Sequence, residues 1–151
     1  MTTPATPSLA PRPWTWWLGT AAGVFLGAVL LVATWAKAIH PQAFAESIRI
    51  EGLDVLLPAA AVVYLALVLE GALGVALLVN LRRLWVLVPA ALLVAFFVFL
   101  TARGWYLEAN GLREEASACG CFGNLVERTP EEAFWQDLFL LVPPLALAFL
   151  G

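Results

Sequence analysis

The chain has 151 residues, of which 62% are hydrophobic and 13% are charged, and its formal net charge is −3. Its mean hydropathy of +0.89 excludes a soluble domain, whose surface needs more polar side chains than this chain has. The acidic balance and the lack of a basic block argue against nucleic acid as a partner. The composition therefore indicates an integral membrane protein, with room for four lipid-embedded spans of about 20 residues each.

The N-terminal third of the chain predicts a leader, a first span and a short surface helix. Residues 1–13 are small and proline-rich, which predicts a disordered cytoplasmic leader. The first span covers about 16–36, and its glycines at 19, 23 and 27 share one face, which favours close packing against another helix. Residues 37–57 place Phe44 and Ile48 among charges, so we expect an amphipathic helix at the membrane surface that opens at Pro41.

Three further spans follow, at about 58–80, 84–102 and 130–150. A tight connection at 80–83 carries two arginines, and a polar loop covers 103–129. The last span begins with Thr129, Pro130, Glu131 and Glu132, a pattern that predicts a helix N-terminus with a capping box. The predicted fold is all-α: one membrane domain over 14–151, formed by a four-helix bundle with a short interfacial helix between its first and second spans.

Charge predicts the orientation of the bundle. An even number of spans puts both termini on the same side as Arg82 and Arg83, whereas the longer polar segments on the other side are net negative. The positive-inside rule then places both termini in the cytoplasm. The polar loop before the last span faces the oxidising side of the membrane.

That loop contains both cysteines of the chain, Cys119 and Cys121, separated by Gly120. A disulfide between them would close a small, strained ring that is easily reduced and removes little entropy from the unfolded chain. The spacing therefore favours thiol–disulfide exchange over structural stapling. Two other interpretations stay open: cysteines that bridge to other chains or have no specific role, and a copper or zinc site completed by His40.

Glu70 lies near the middle of the second span, where an ionised carboxylate must be protonated or paired. The favoured interpretation is a protonated glutamate that hydrogen-bonds across helices. The alternatives are a proton-handling group and an ion pair with Lys37. Depth argues against the ion pair unless the lysine side chain folds inward, because Lys37 ends the first span.

From about Leu26 to Phe149 the chain resembles the MauE/DoxX-like family of membrane proteins, which includes the methylamine-utilisation protein MauE. The CGCFG motif at 119–123 is the most specific element of this resemblance. The supporting pattern consists of Lys37, Pro41, Phe44, the LLP at 56–58, Glu70 with Gly71, and Asp137.

The resemblance implies a four-helix bundle in the bacterial inner membrane, with its cysteine loop in the periplasm. It also implies a thioredoxin-like periplasmic partner, with which the protein forms or isomerises disulfides of an exported protein. Cys119 and Cys121 would then be the redox pair, and Lys37, Glu70, Phe122 and Asp137 the supporting residues.

A quinone and a larger complex are further candidate partners. A quinone site would need aromatic residues near the loop, although such residues in a span are also typical of packing or lipid contact. The residues concerned are Phe96, Phe97, Phe99, Trp105 and Phe122. A non-catalytic subunit or assembly factor, packing through its glycine faces against a larger membrane complex, is the alternative function. The sequence does not decide between a thiol–disulfide oxidoreductase and its accessory.

Overall fold

The structure is a computed structural model that describes residues 13–50, 52–53, 55, 57–81, 84–111 and 129–150. This part of the chain forms five helices and no strand: α1 (Trp14–Ile39), α2 (Pro41–Ile50), α3 (Ala59–Leu78), α4 (Leu84–Ala109) and α5 (Pro130–Leu150). All except α2 are long and apolar enough to cross a membrane. The predicted all-α architecture of four spans, with a short helix between the first two, is confirmed.

Helix α1 is central to the bundle because it packs against both α3 and α5. Helix α4 packs mainly on α5 and touches α3 less, while α2 lies against α3. The buried apolar side chains of the four long helices form one main core, which includes Leu26, Leu30, Leu77, Val94, Phe97 and Leu141. A second, smaller cluster of Ile48, Ala59 and Val63 joins α2 to the start of α3.

The closest approach between backbones is at Gly27 of α1. A Cβ atom there would lie 2.7 Å from the carbonyl oxygen of Gly74 and 2.9 Å from the backbone nitrogen of Leu78, so only glycine fits. Gly19 and Gly23 are also buried on α1. The glycine face predicted from the sequence therefore packs, at Gly27, inside the chain itself.

Two helices extend beyond their predicted ends. Helix α4 reaches Ala109 instead of residue 102, because Gly104 is buried and Trp105 stacks on Phe134 of α5 with ring centroids 5.4 Å apart. Helix α1 reaches Ile39 and carries Lys37 in its last turn. Hydropathy ends a span at the first charge, whereas packing against neighbouring helices continues the helix past it.

The helix ends follow local sequence signals. Helix α3 ends in a Schellman motif, with Asn80 at a φ of 60° and the Leu81 N–H donating to the Ala76 carbonyl over 2.9 Å. The predicted capping box at α5 is confirmed: the Glu132 N–H donates to the Thr129 hydroxyl oxygen over 3.2 Å, and the Thr129 N–H donates to Glu132 Oε2 over 3.1 Å. Both ends are therefore set by their own residues.

Gly27→Ala should destabilise the bundle by about 1–3 kcal/mol, because the new methyl group meets backbone atoms that cannot move aside independently. Thermal unfolding in detergent micelles measures this loss. Gly71→Ala is the matched control on the same helix pair: its Cβ would lie 3.5 Å from Thr34 Cγ2, an ordinary contact. Equal losses in both variants would contradict the close approach at Gly27.

Candidate functional site

The interior of the bundle contains an ion pair between Lys37 on α1 and Glu70 on α3. The lysine Nζ donates hydrogen bonds of 2.8 Å to both Oε1 and Oε2 of the glutamate. Both side chains have zero exposure. Two ionised groups in this setting stabilise each other only when their geometry is good, and here every carboxylate oxygen has a charge-assisted hydrogen bond.

Aromatic rings surround the lysine ammonium. Its Nζ lies 4.4 Å from the centroid of the Phe97 ring on α4 and 5.5 Å from that of Phe44 on α2. Both distances are within the range of cation–π attraction, which is stronger where water is excluded. The ammonium is therefore held by a carboxylate and two ring faces from three other helices.

Asp137 brings the last helix into this site. It is fully buried on α5, and it is close enough to Glu70 to interact with it electrostatically. Lys37, Glu70 and Asp137 thus form one buried charged cluster, to which α1, α3 and α5 each contribute a residue. The resemblance implied these three as supporting residues, and the structure brings them together.

Depth argued against a Lys37–Glu70 pair unless the lysine side chain folds inward, and in the structure it does fold inward and forms the pair. Gly27 lies against Gly74 and Leu78, and Thr34 lies against Gly71, so α1 and α3 are antiparallel with a defined register. Lys37 lies ten residues after Gly27 on α1, and in this register it faces the turn of α3 that precedes Glu70. The four-carbon lysine stem reaches across one turn, and the helix continues past Lys37, so the ammonium lies inside the bundle.

The charged cluster lies in the half of the bundle that faces the polar loop. Lys37 is two residues before the end of α1 at Ile39, and Asp137 is seven residues after the start of α5 at Pro130. At 1.5 Å per residue, Asp137 is about 10 Å along the helix from that start. The end of α4 lies at the same end of the bundle, since Trp105 stacks on Phe134 near the start of α5.

Cys119, Cys121 and Phe122 lie in segment 112–128, outside the described residues. The structure defines both ends of this segment: the Gly111 N–H donates to the Glu108 carbonyl over 2.9 Å, and the capping box starts α5. Within the described ranges, no group of three or more His, Cys, Asp or Glu side chains could hold a metal ion. The metal interpretation depended on the two cysteines and stays untested.

The aromatic residues considered for a quinone site do not share one environment. Phe97 is buried and faces Lys37, whereas Phe96 and Phe99 are exposed on the outer surface of α4. Trp105 belongs to an aromatic cluster with Phe134, Trp135 and Phe139 near the loop end of the bundle. The sequence reading missed the role of Phe97 at the ammonium. The sequence offered one signal for this site: Lys37 is the only lysine of the chain and lies next to an apolar span.

Lys37→Met and Glu70→Met should each lower the free energy of unfolding by about 3–5 kcal/mol, because each leaves one polar partner buried alone. The double variant Lys37→Met/Glu70→Met should recover most of that loss, since neither charge then remains. Unfolding in detergent micelles measures all three. The control is the exposed pair of Arg49 and Glu46, which are 3.2 Å apart. Replacing each and then both with alanine should give a coupling free energy near zero between the two side chains. If the stability losses of Lys37→Met and Glu70→Met simply added up in the double variant, the paired geometry would be contradicted.

Comparison with known proteins shows the family. The family model of the methylamine utilisation protein MauE matches residues 15–150, nearly the whole chain. No curated protein and no solved structure matches significantly. Four helices of membrane-spanning length and this match together make the chain a multi-pass membrane protein. The chain belongs to the methylamine utilisation protein MauE family.

Proposed function

We propose that this chain is a membrane-embedded thiol–disulfide redox protein whose Cys119 and Cys121 exchange electrons with a thioredoxin-like periplasmic partner. The observation that carries the proposal is the CGCFG motif in a member of this family, in the segment that joins α4 to α5. Both ends of that segment are held by defined helix termini. A redox loop needs such anchoring, because its sulfurs must meet a partner in a reproducible orientation.

The exchange is a two-electron reaction between two cysteine pairs. A thiolate of the reduced pair attacks the disulfide of the oxidised pair, and a mixed disulfide forms between the two proteins. The second cysteine of the attacking pair then displaces the partner sulfur. The attacking pair ends as a disulfide, and the other pair ends as two thiols that take up the protons. The same steps run in either direction, which suits the formation or isomerisation of disulfides in an exported protein.

The charged cluster supports this function by fixing the bundle beneath the loop. Lys37 and Glu70 tie α1 to α3, and Asp137 lies on the helix that leads directly out of the cysteine segment. Phe122, next to Cys121, would add an apolar contact for the partner. In this proposal, these residues position the loop and do not exchange electrons.

The proposed orientation places the protein in the bacterial inner membrane, with both termini in the cytoplasm and the cysteines in the periplasm. The short α3–α4 connection carries Arg82 and Arg83, which the positive-inside rule assigns to the cytoplasm. Leu81, in that connection, is a useful reporter because it is exposed and lies outside the helices.

An assembly subunit of a larger membrane complex is the competing function. Its sequence basis was the glycine face of α1. Gly27 of that face already packs against Gly74 inside the chain, so it does not form a free docking surface. An assembly subunit would function with both cysteines replaced by serine, whereas a redox protein would not.

Thiol trapping in intact cells tests the proposal. With a membrane-impermeant maleimide, Cys119 and Cys121 should react only after reduction, and Cys119→Ser or Cys121→Ser should accumulate a mixed disulfide with a periplasmic protein. The control for orientation is Leu81→Cys in a Cys119→Ser/Cys121→Ser background, which should stay unlabelled until the cells are permeabilised. Permanently reduced cysteines in cells where Leu81→Cys behaves as expected would exclude the redox function.

A further inference from the structure

Helix α2 is joined to the bundle through a hinge-like connection. Only His40 separates the end of α1 from the start of α2 at Pro41, whose ring disfavours helical geometry at the residue before it. That residue, His40, has φ −125° and ψ 62°, outside the helical region. At the other end, Gly52 adopts a φ of 66°, and the Leu53 N–H donates to the Ile48 carbonyl over 3.0 Å. Each end of α2 is therefore a local turn.

Helix α2 packs on α3 outside the main core of the bundle. Its buried residue Ile48 contacts a small cluster with Ala59 and Val63 at the start of α3. None of the buried residues of the main core comes from α2. A short helix that is held by one small cluster belongs to the part of a protein that opens at low free energy. Separation of α2 from α3 would therefore expose the small cluster and none of the buried residues of the main core.

Helix α2 contacts the ion pair through Phe44. Its Phe44 ring lies 5.5 Å from the Lys37 Nζ, and Phe44 is itself only half-buried. Beside it, the α1–α2 turn is open to solvent: His40, Pro41 and Gln42 are exposed and, with Ile39 and Ala43, line a surface cavity of about 400 Å³. Phe44 follows the cavity residue Ala43 directly in the chain, so the ring that contacts the ammonium belongs to the same turn of α2 as part of the cavity lining.

We propose that α2 is a hinged cover over the Lys37–Glu70 pair, and that its opening makes the pair a proton-exchange site reached from the aqueous phase at the α1–α2 turn. In the closed state the proton can move from Nζ to a glutamate oxygen 2.8 Å away. An N–H bond breaks and an O–H bond forms, which leaves a neutral amine and a neutral acid. In the open state water takes up or returns that proton. This inference goes beyond the proposed function and does not depend on the cysteines.

The charged groups around the pair are consistent with exchange on the α2 side. Asp137 on α5 acts on Glu70 from within the bundle. On α2 itself, Glu46 and Arg49 are exposed and pair with each other at 3.2 Å. On α4, Phe97 contacts the ammonium, and Arg103 lies six residues further along, half-buried.

Acylation of Lys37 tests the proposal directly, because the chain has no other lysine. The probe is a water-soluble N-hydroxysuccinimide acetate, applied to the full chain in lipid nanodiscs and followed by mass spectrometry. Only a neutral amine attacks this ester, so labelling of Lys37 reports both aqueous access and loss of its ammonium proton. The N-terminal amine serves as the internal reference for reagent activity.

Three variants distinguish a cover from general loosening. Phe44→Ala should raise the labelling rate of Lys37 about tenfold, which corresponds to about 1.4 kcal/mol in the opening equilibrium. Phe99→Ala is the matched control, because it removes the same ring from an exposed position on α4. The third variant is a disulfide that locks α2 onto α3, made in the Cys119→Ser/Cys121→Ser background. It pairs Ile48→Cys with Ala59→Cys or with Val63→Cys, whichever forms the bond. This lock should stop the labelling of Lys37 until reductant is added.

Slow wild-type labelling that Phe44→Ala accelerates and the lock abolishes supports the cover. Labelling at the same rate with the lock closed and open would overturn it, because the probe would then reach Lys37 by another route. A complete lack of labelling in the wild type and in Phe44→Ala, with the N-terminal amine acetylated, would also overturn it. The lock keeps the test decisive if Phe44→Ala does not fold, since it is read on an otherwise intact bundle.

Discussion

The ammonium–carboxylate contact between Lys37 and Glu70 constrains the position of every long helix in this bundle. Ionised side chains in a membrane interior are tolerated only with partners, so α1 and α3 have to align until the two groups meet. Glycine at position 27 permits that alignment because it lets the two backbones approach. Phe97 then brings α4, and Asp137 brings α5, to the same level. A single register between α1 and α3 thus satisfies both the close contact at Gly27 and the buried ion pair.

The chemistry of the cation fits its surroundings. The chain contains a single lysine, and its other basic side chains are arginines. An ammonium is a compact charge with three N–H donors, whereas a guanidinium is a wide planar fork. Two donors of Lys37 reach the two oxygens of Glu70, and the third is left for the face of Phe97.

Much of the fold was accessible from the sequence, because the elements depend on local signals. Hydropathy located the four spans, proline at position 41 marked the start of α2, and the Thr129 to Glu132 pattern set the start of α5. The ion pair was not accessible in the same way, since it depends on the register between two helices. Hydropathy treated Lys37 as the end of a span and so misjudged its depth. The cysteine chemistry is proposed from the motif and the family.

The partners of the ion pair are 33 residues apart in the chain, which has a consequence for biogenesis. Lys37 is synthesised before Glu70, so at first its ammonium has no carboxylate of α3 with which to pair. A lysine in the last turn of a helix can keep its ammonium among lipid headgroups during that interval. The pair that holds the ammonium inside the bundle can form only when α3 is present. The final depth of Lys37 is therefore reached only after α3 has been made, and α2 is the helix that lies between the two partners in the chain.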